Sequence, residues 1–264
     1  MEIWQAVILG IVQGIAEFLP ISSSGHLVVL QHIFGINEPG ITFDIVVHIG
    51  TLCAVFAVFW RDILSLIKNP FQKMTAMLIV ATLPVVVVGF TLRDHIEIFQ
   101  QTFFLAAAFV FTGILLLIAD NIKHTNKTIR EMTFLDAIII GCMQAIAIPP
   151  GISRSGATIT GALVSGLTRE TAARFSFLLS IIAIMGAGIL EAADIYQSYE
   201  GVYRGDIPAF MVGFITAAVS GYFSIRLLLE LIKKAKLKYF AYYVFILAAL
   251  LLVDRFVFNW FFTA

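Results

Sequence analysis

Long apolar runs alternate with short polar stretches along this chain, and the lengths of these runs predict its membrane-spanning elements. A helix needs about 20 apolar residues to cross the hydrocarbon core of a bilayer. Six runs qualify, at about 41–60, 74–91, 101–119, 171–192, 207–230 and 239–258. We predict one full transmembrane helix from each of them.

Two other apolar regions are interrupted before they reach this length. One is interrupted by Pro20 and a run of serines, and the other by Pro149-Pro150-Gly151. The four short pieces that result lie at 3–18, 26–35, 134–148 and 156–167. Each pair is predicted to form a re-entrant helical hairpin, which enters the bilayer and returns to the side it left. The alternative is a pair of kinked full spans.

The two interrupted regions nearly repeat each other, 131 residues apart. The first reads QGIAEFLPISSSGH from Gln13 to His26, and the second reads QAIAIPPGISRSG from Gln144 to Gly156. Matching interrupted segments in the two halves of a membrane protein point to its binding site. Three spans follow each hairpin, and because three is odd, the second half starts on the opposite face of the membrane.

These elements predict an all-α polytopic membrane protein with six full transmembrane helices and two re-entrant helical hairpins, arranged as an inverted-topology repeat. Repeat 1 covers about 1–119 and repeat 2 about 134–264, within one integral membrane domain over 1–264. Two hairpins that enter from opposite faces can meet near the middle of the bilayer.

Composition and charge agree with this class. Hydrophobic residues make up 60% and charged residues 13% of the chain, against roughly 45–50% and about 25% in soluble domains. The formal net charge is zero, so no basic surface indicates nucleic acid, and membrane lipids are the predicted surroundings. Cys53 and Cys142 both lie inside apolar runs and predict no disulfide framework.

The distribution of Lys and Arg predicts the orientation. The loops at 61–73, 120–133, 168–170 and 231–238 share one side and carry eleven basic residues. The opposite side carries three, Arg93, Arg204 and Arg255. The positive-inside rule makes the basic side cytoplasmic and puts the first hairpin on the outer face.

The hairpin tips are the predicted anion-binding elements. Irregular backbone at membrane depth must be buried in protein or line a wet cavity, so the two tips are expected to face each other or water. Each tip leads into a half-helix that begins near Ser24 or Ser155, whose free N–H groups and dipole favour an anion. The predicted phosphate-binding residues are Ser22, Ser24, Gly25, Ser153, Ser155 and Gly156. For each serine, simple helix capping is the alternative.

Four further polar residues in these segments are candidates for chemistry. Arg154 is a positive charge in an apolar protein, and its planar fork suits a phosphate or a carboxylate. Glu17 and Gln13 are four residues apart and share one helix face. Glu17 can accept a proton or bind a cation, and Gln13 can coordinate a cation through its side-chain carbonyl. His26 lies in the first turn of the next half-helix, beside the serines.

Phosphoryl transfer is the chemistry indicated by an oxyanion site that is surrounded by a carboxylate, a histidine, hydroxyls and an arginine. This reaction depends on positioning and charge neutralisation. We predict Glu17, Ser23, His26 and Arg154 as catalytic residues, with Ser23 preferred over His26 as the nucleophile. Carboxylates are few here, so a cation would take ligands from substrate phosphates and water, which suits Mg²⁺ or Ca²⁺ held by Glu17 and Gln13. We interpret Asp44 and His48, four apart in the first span, as an internal hydrogen-bonded pair or a polar packing contact between helices.

At these residues the chain resembles the undecaprenyl-diphosphate phosphatases linked to bacitracin resistance. The shared motifs are the Glu/Gln-x-x-x-Glu pattern at Gln13 and Glu17, Pro-x-Ser-Ser-x-Gly-His at 20–26, Pro-Gly-x-Ser-Arg-Ser-Gly at 150–156, Thr-Phe-Asp at 42–44, Gly-Thr at 50–51 and Arg-Phe-Ser-Phe at 174–177. Length and span layout agree from end to end. The chain departs from the family at Gln13, where many members carry a glutamate, and at Ile182, where a proline is expected.

The resemblance implies removal of the terminal phosphate of a C55 isoprenyl diphosphate at the outer face of the bacterial cytoplasmic membrane. The product is the monophosphate carrier used in cell-wall synthesis. The implied partners are the isoprenyl diphosphate lipid and membrane lipids.

Two other kinds of membrane protein share part of this pattern. Inverted repeats with half-helices in mid-membrane are also transporter architecture, so a polyprenyl-phosphate transporter or flippase is the alternative function. A second lipid phosphatase class needs a histidine where this chain has Thr160, and that class is excluded. The sequence leaves open whether the protein forms a homodimer.

Overall fold

The computed structural model describes residues 1–36, 41–92, 101–122, 125–198, 207–234, 236–258 and 260, and within this part of the chain the regular structure is helical. In chain order the helices are α1 (Ile3–Phe18), α2 (Ser23–Ile33), α3 (Ile41–Lys68), α4 (Lys73–Leu92), α5 (Thr102–Asn121), α6 (Phe134–Ile146), α7 (Arg154–Val164), α8 (Arg169–Ser198), α9 (Ile207–Lys234) and α10 (Lys238–Val253). One π-helical turn, Asp254–Phe258, extends α10.

Six of these helices contain stretches that are long and apolar enough to cross a membrane, which confirms the predicted spans. The stretches are Phe43–Lys68, Lys73–Thr91, Thr102–Asn121, Arg169–Leu190, Ile207–Ile232 and Lys238–Phe258. The first is longer than expected, because α3 continues through the predicted loop at 61–73 as far as Lys68. In that extension Asp62 accepts a hydrogen bond from Arg174 at 2.8 Å, so a polar partner stabilises the helix beyond its apolar part.

The first interrupted region is a helical hairpin of α1 and α2. Near the start of α1, Trp4 packs edge-on against Phe34, just after α2, with ring centroids 5.1 Å apart. The Gln5 side chain also donates to the Phe34 carbonyl at 3.5 Å. The start of α1 and the end of α2 therefore lie side by side at the open end of the hairpin. The chain reverses at residues 19–22, at the other end.

The second interrupted region is a hairpin of α6 and α7. Thr133 and Asp136 form a capping box that begins α6. The Lys127 ammonium bonds to the Asp136 carboxylate at 2.5 Å and to the carbonyl of Ser165, at the end of α7, at 3.1 Å. The start of α6 and the end of α7 thus lie together, and the chain reverses at residues 147–153.

The two hairpins open at opposite ends of the bundle. Phe34, near the open end of the first hairpin, packs on a cluster that includes Phe43 at the start of α3. At the open end of the second hairpin, Lys73 at the start of α4 donates to the Arg130 carbonyl at 2.6 Å. Because α4 starts where α3 ends, the second hairpin opens beside the end of α3.

Helix α1 lies in contact with α9 along most of its length, and glycines permit this close approach. A Cβ on Gly10 would lie 2.5 Å from the Gly213 carbonyl oxygen, and one on Gly14 would lie 2.5 Å from that of Ala217. Helix α6 packs on α4 in the same way, since a Cβ on Gly141 would meet Pro84 at 2.9 Å. The packing fixes the position of both hairpins within the bundle.

Candidate active site

The two hairpin tips meet inside the protein, as expected from the sequence. Gly25 in the first hairpin approaches Gly151 in the second so closely that a Cβ on Gly25 would lie 2.9 Å from the Gly151 Cα. The Ser155 hydroxyl crosses between the tips and donates to the Leu19 carbonyl at 3.1 Å. Thr112 of α5 holds the second tip, because its hydroxyl donates to the Gly151 carbonyl and accepts from the Ser153 N–H. Two segments of irregular backbone therefore support each other.

The first tip contains a strained residue next to the predicted nucleophile. Ser22 has φ of 70° and is the only non-glycine residue with positive φ in the described part of the chain. Such a conformation costs about 1–3 kcal/mol and persists only where the surroundings hold it. The Ser22 hydroxyl caps α2 by accepting from the Gly25 N–H at 3.4 Å. Helix α2 then begins at Ser23, one residue before the predicted position.

Glu17 is the polar centre of the site. Its Oε2 accepts hydrogen bonds from the Ser23 hydroxyl at 2.6 Å and from the Gln13 amide at 3.1 Å. Its Oε1 pairs with Arg154 of the second hairpin. The Glu17 side chain is 6% exposed, so both carboxylate oxygens are desolvated and depend on these partners.

The second tip supplies the positive charge and a capped helix. Ser153 is the N-cap of α7, and its hydroxyl accepts from the Gly156 N–H at 3.1 Å and is 3.1 Å from the Ser155 hydroxyl. Arg154, the first residue of α7, reaches across to Glu17, which lies 137 residues earlier in the chain. An anion bound here would meet the guanidinium and the N-terminus of α7 together.

A cavity of about 390 Å³ lies between the tips and helices α3, α4 and α8. Its polar lining comprises Glu17, Ser22, Ser23, Ser24, Asp44, His48, Gln144, Ser153 and Arg154. Its apolar lining includes Val85 of α4 and Ala183, Ile184 and Ala187 of α8. A polar end beside an apolar wall suits an amphiphilic ligand with a charged head.

Of the predicted site residues, Glu17, Ser22, Ser23, Ser24, Ser153 and Arg154 line the cavity, whereas Gln13, Gly25, His26, Ser155 and Gly156 do not. The His26 Nδ1 donates to the Ser22 carbonyl at 2.6 Å, and its Nε2 lies 2.8 Å from the Tyr243 hydroxyl. Because a carbonyl only accepts, the neutral ring carries its proton on Nδ1 and accepts the Tyr243 hydrogen on Nε2. Both ring nitrogens are thus engaged within the protein.

Sequence reasoning missed the residues of α3 that line the cavity. His48 donates from Nδ1 to the Asp44 backbone carbonyl at 2.7 Å, which leaves Nε2 facing Glu17 Oε2 at 3.8 Å. The Asp44 carboxylate accepts from Gln31 at 3.0 Å rather than from His48. The hydrogen bond between His48 and Asp44 and the contact of Asp44 with Gln31 of α2 agree with the interpretation of a polar packing pair, and both residues in addition line the cavity. Their four-residue spacing places them on one face, and the presence of a titratable pair in an apolar span was the available signal.

Gln144 is a second residue that sequence reasoning left without a role. It is 2% exposed, lines the cavity, and both amide atoms lack a hydrogen-bond partner. A buried polar group without a partner costs about 1–3 kcal/mol. Its place in the repeated motif was the signal that could have identified it.

The described residues offer limited protein ligands for a divalent cation. Among them there is no group of three or more His, Cys, Asp or Glu side chains placed to hold a metal ion. Gln13 Oε1 is nevertheless a buried acceptor without a partner, next to the Glu17 carboxylate. One amide oxygen and one carboxylate fit a cation that takes its remaining ligands from phosphate and water.

Comparison with known proteins identifies the family of this chain. The sequence model of the family described as bacitracin resistance protein BacA matches residues 6–250. The undecaprenyl-diphosphatase of Carboxydothermus hydrogenoformans is 46% identical over 254 residues, which cover 96% of this chain and 97% of that protein. Undecaprenyl-diphosphatase 4 of Bacillus thuringiensis subsp. konkukian is 46% identical, with 96% and 97% covered, and the undecaprenyl-diphosphatase of Halothermothrix orenii is 40% identical, with 96% and 98% covered. The chain belongs to the bacitracin resistance protein BacA family.

Proposed function

We propose that this protein is a membrane phosphatase that hydrolyses undecaprenyl diphosphate to undecaprenyl phosphate and inorganic phosphate. The relatives that match almost the whole chain are undecaprenyl-diphosphatases. The observation that carries the proposal is the hydrogen bond of 2.6 Å from the Ser23 hydroxyl to Glu17, with Arg154 on the same carboxylate. A hydroxyl that contacts a base and lies close to a positively charged guanidinium is arranged as an activated nucleophile is.

The reaction follows from the roles of these groups. Glu17 takes the Ser23 proton while Ser23 Oγ forms a bond to the terminal phosphorus, and the bond from that phosphorus to the bridging oxygen breaks. Undecaprenyl phosphate leaves with the bridging oxygen. Water then attacks the phosphoserine and the bond from phosphorus to Ser23 Oγ breaks. Glu17 returns its proton to Ser23 Oγ, and inorganic phosphate leaves with the oxygen and the protons of the water. Arg154 and the N-terminus of α7 offset the charge on the phosphoryl oxygens throughout.

His26 is a positioning residue in this mechanism. Its Nδ1–H holds the carbonyl of Ser22, whose positive φ presents Ser23 to Glu17. The hydrogen bond from Tyr243 and the edge-on contact with Phe109, at 5.5 Å between centroids, support the ring. His26 transfers no proton in this mechanism, because both ring nitrogens are already engaged.

A divalent cation, Mg²⁺ or Ca²⁺, would be held by Glu17 and Gln13 Oε1 with oxygens of the substrate. When bound it would supply charge neutralisation at the diphosphate. The chain's own contribution is to hold the buried Glu17 carboxylate next to Gln13 Oε1, which has no hydrogen-bond partner within the protein. The cation would compete with Arg154 for the Glu17 carboxylate.

The two hairpins are proposed to be re-entrant, in an inverted-topology repeat, with the site open to the outer face of the bacterial cytoplasmic membrane. Their openings at opposite ends and the eleven-to-three distribution of basic residues support this. Single cysteines at Glu2 and Lys236, in a variant lacking Cys53 and Cys142, should label from the outside and the inside respectively. Labelling of both from one side would refute the orientation.

The activity is tested by measuring phosphate release from undecaprenyl diphosphate by detergent-purified protein. We expect stoichiometric undecaprenyl phosphate and phosphate, and loss of turnover on addition of a chelator. Brief incubation with substrate labelled in the terminal phosphate should label Ser23, as mapped by peptide mass spectrometry. Transport of the lipid in vesicles without phosphate release would favour the flippase alternative, and chelator-resistant turnover would remove the cation from the mechanism.

A further inference from the structure

Gln144 is the most unusual polar side chain in the cavity, because it has no partner. It lies near the end of α6, is 2% exposed, and neither its amide oxygen nor its amide nitrogen is hydrogen-bonded. It shares the cavity lining with Ser23, Ser153 and Arg154. Buried amides in proteins nearly always have partners, so an amide left free in a binding cavity indicates a ligand.

The internal repeat explains why this amide is free. Gln13 occupies the matching position of the first hairpin, and its Nε2 donates to Glu17, four residues later, at 3.1 Å. In the second hairpin the residue four positions after Gln144 is Ile148, which has no acceptor. The same helix position thus presents an amide nitrogen that is hydrogen-bonded in the first hairpin and has no partner in the second.

We propose that the Gln144 amide binds the diphosphate group of the substrate, by donating from Nε2 to a non-bridging phosphate oxygen. This inference rests on the proposed function, and it adds a binding residue that is separate from the serine, carboxylate and arginine described above. Phosphate oxygens accept hydrogen bonds and the Gln amide provides two donors, so the chemistry is complementary. Arg154 in the same lining attracts the anion, and Gln144 adds a neutral donor that leaves the charge balance with Glu17 unchanged.

The test is the Gln144→Met variant, which keeps the length of the side chain and removes its polar atoms. The ligand is a methylene-diphosphonate analogue of an isoprenyl diphosphate, which cannot be hydrolysed, and binding is measured by calorimetry on detergent-purified protein. We expect affinity to fall by about 10- to 100-fold, as for a hydrogen bond to a charged group. The thermal midpoint of the free protein should not fall, because Gln144 makes no hydrogen bond there that the variant would lose.

Gln72→Met is the matched control. Gln72 is a partly buried residue between α3 and α4 whose amide donates to the Ser65 carbonyl at 3.0 Å, and it does not line the cavity. Its substitution should leave affinity unchanged. A Gln144→Glu variant should bind the diphosphonate more weakly than Gln144→Met, because a carboxylate would repel the phosphates.

The outcomes separate this inference from the proposed function. Unchanged affinity in Gln144→Met, whether or not stability changes, would overturn it and would show that the amide serves only packing or a resident water. If the wild-type protein binds the diphosphonate but releases no phosphate from the diphosphate, the hydrolase proposal fails and the weaker binding of Gln144→Met still supports this inference. Absence of binding by the wild-type protein would overturn both. A monophosphonate analogue that shows the same loss would place Gln144 at the phosphate attached to the isoprenoid.

Discussion

The two hairpin tips share a sequence pattern and differ in chemistry. When the repeats are aligned from Gln13 and Gln144, Ser23 corresponds to Arg154, and Glu17 corresponds to Ile148. The serines that cap α2 and α7 are present in both tips, as Ser22 and Ser153. The repeat therefore gives both tips the same serine-capped helix start. The carboxylate and the hydroxyl that are candidates for chemistry lie in the first tip, and the guanidinium lies in the second.

The backbone of the tips differs as well. Ser22 adopts φ of 70°, while its counterpart Ser153 has φ of −72°. In the second tip the positive φ falls on Gly151 instead, at 91°. Of the two tips, only the first, which carries the proposed nucleophile, has a non-glycine residue with positive φ, and the contact from His26 holds it there. In the proposed mechanism the first tip supplies the reacting groups and the second binds the negative charge of the phosphates.

Removal of the nucleophile should give the largest effect and tests whether reaction belongs to the first tip. Ser23→Ala removes the hydroxyl and should lower kcat by on the order of 10⁴-fold or more. Binding of the diphosphonate should persist, because Arg154 and the N-terminus of α7 remain. Ser224→Ala is the control, since the Ser224 hydroxyl is buried, donates to Ile15 and lies outside the cavity lining. Substantial turnover by Ser23→Ala, or an acid-labile phosphohistidine, would move the nucleophile to His26.

Arg154→Lys tests whether the second tip acts through the guanidinium fork. A lysine keeps the charge and loses the paired donors, so we expect turnover to fall by about 10²–10³-fold. Arg169→Lys is the control, because its side chain is 17% exposed, as is that of Arg154, and it lies at the basic end of the bundle near Asp120. Equal activity in both variants would show that charge alone is sufficient.

Glu17→Gln and Gln13→Glu test which member of the pair in the first tip is the base. An amide cannot accept the Ser23 proton, so Glu17→Gln should reduce kcat by at least about 10²-fold. Gln13→Glu should be tolerated, because the resemblance to the undecaprenyl-diphosphate phosphatases implies a glutamate at this position in many of them. Glu131→Gln, in an exposed loop, is the control. Near-normal turnover by Glu17→Gln together with an inactive Gln13→Glu would reverse the assignment.

Gly25→Ala tests the contact between the tips and should have the smallest effect. The added Cβ would lie 2.6 Å from Phe109 and 2.9 Å from the Gly151 backbone, so the tips must separate. We expect a loss of about 1–3 kcal/mol in the free energy of unfolding and about a tenfold loss of kcat from misplaced groups. Thermal midpoints and initial rates measure these. Gly186→Ala, where a Cβ would meet no atom within 4 Å, should change neither.

Much of the fold was predictable because it depends on local sequence. The six long apolar helices follow from run length, and the hairpin breaks follow from Pro20, Pro149 and Pro150. The helix starts at Ser23 and Arg154 lie within one residue of the predicted capping serines. Helix α3 extends beyond its predicted end, and in the extension Asp62 pairs with Arg174, a partner 112 residues away that local sequence does not identify.

The amino-acid sequence by itself determined the class of the protein, the repeated tips and the identity of Glu17, Ser23 and Arg154 as candidates, since these depend on composition, spacing and residue chemistry. Only the tertiary structure decided which candidates meet. Glu17 and Arg154 are adjacent because α9 and α4 hold the two hairpins in place. His48 faces the carboxylate while His26 bonds to Tyr243, and Gln144 lacks the partner that Gln13 has. These outcomes depend on distances between helices that are far apart in the chain, and a pattern of neighbouring residues contains no such distances.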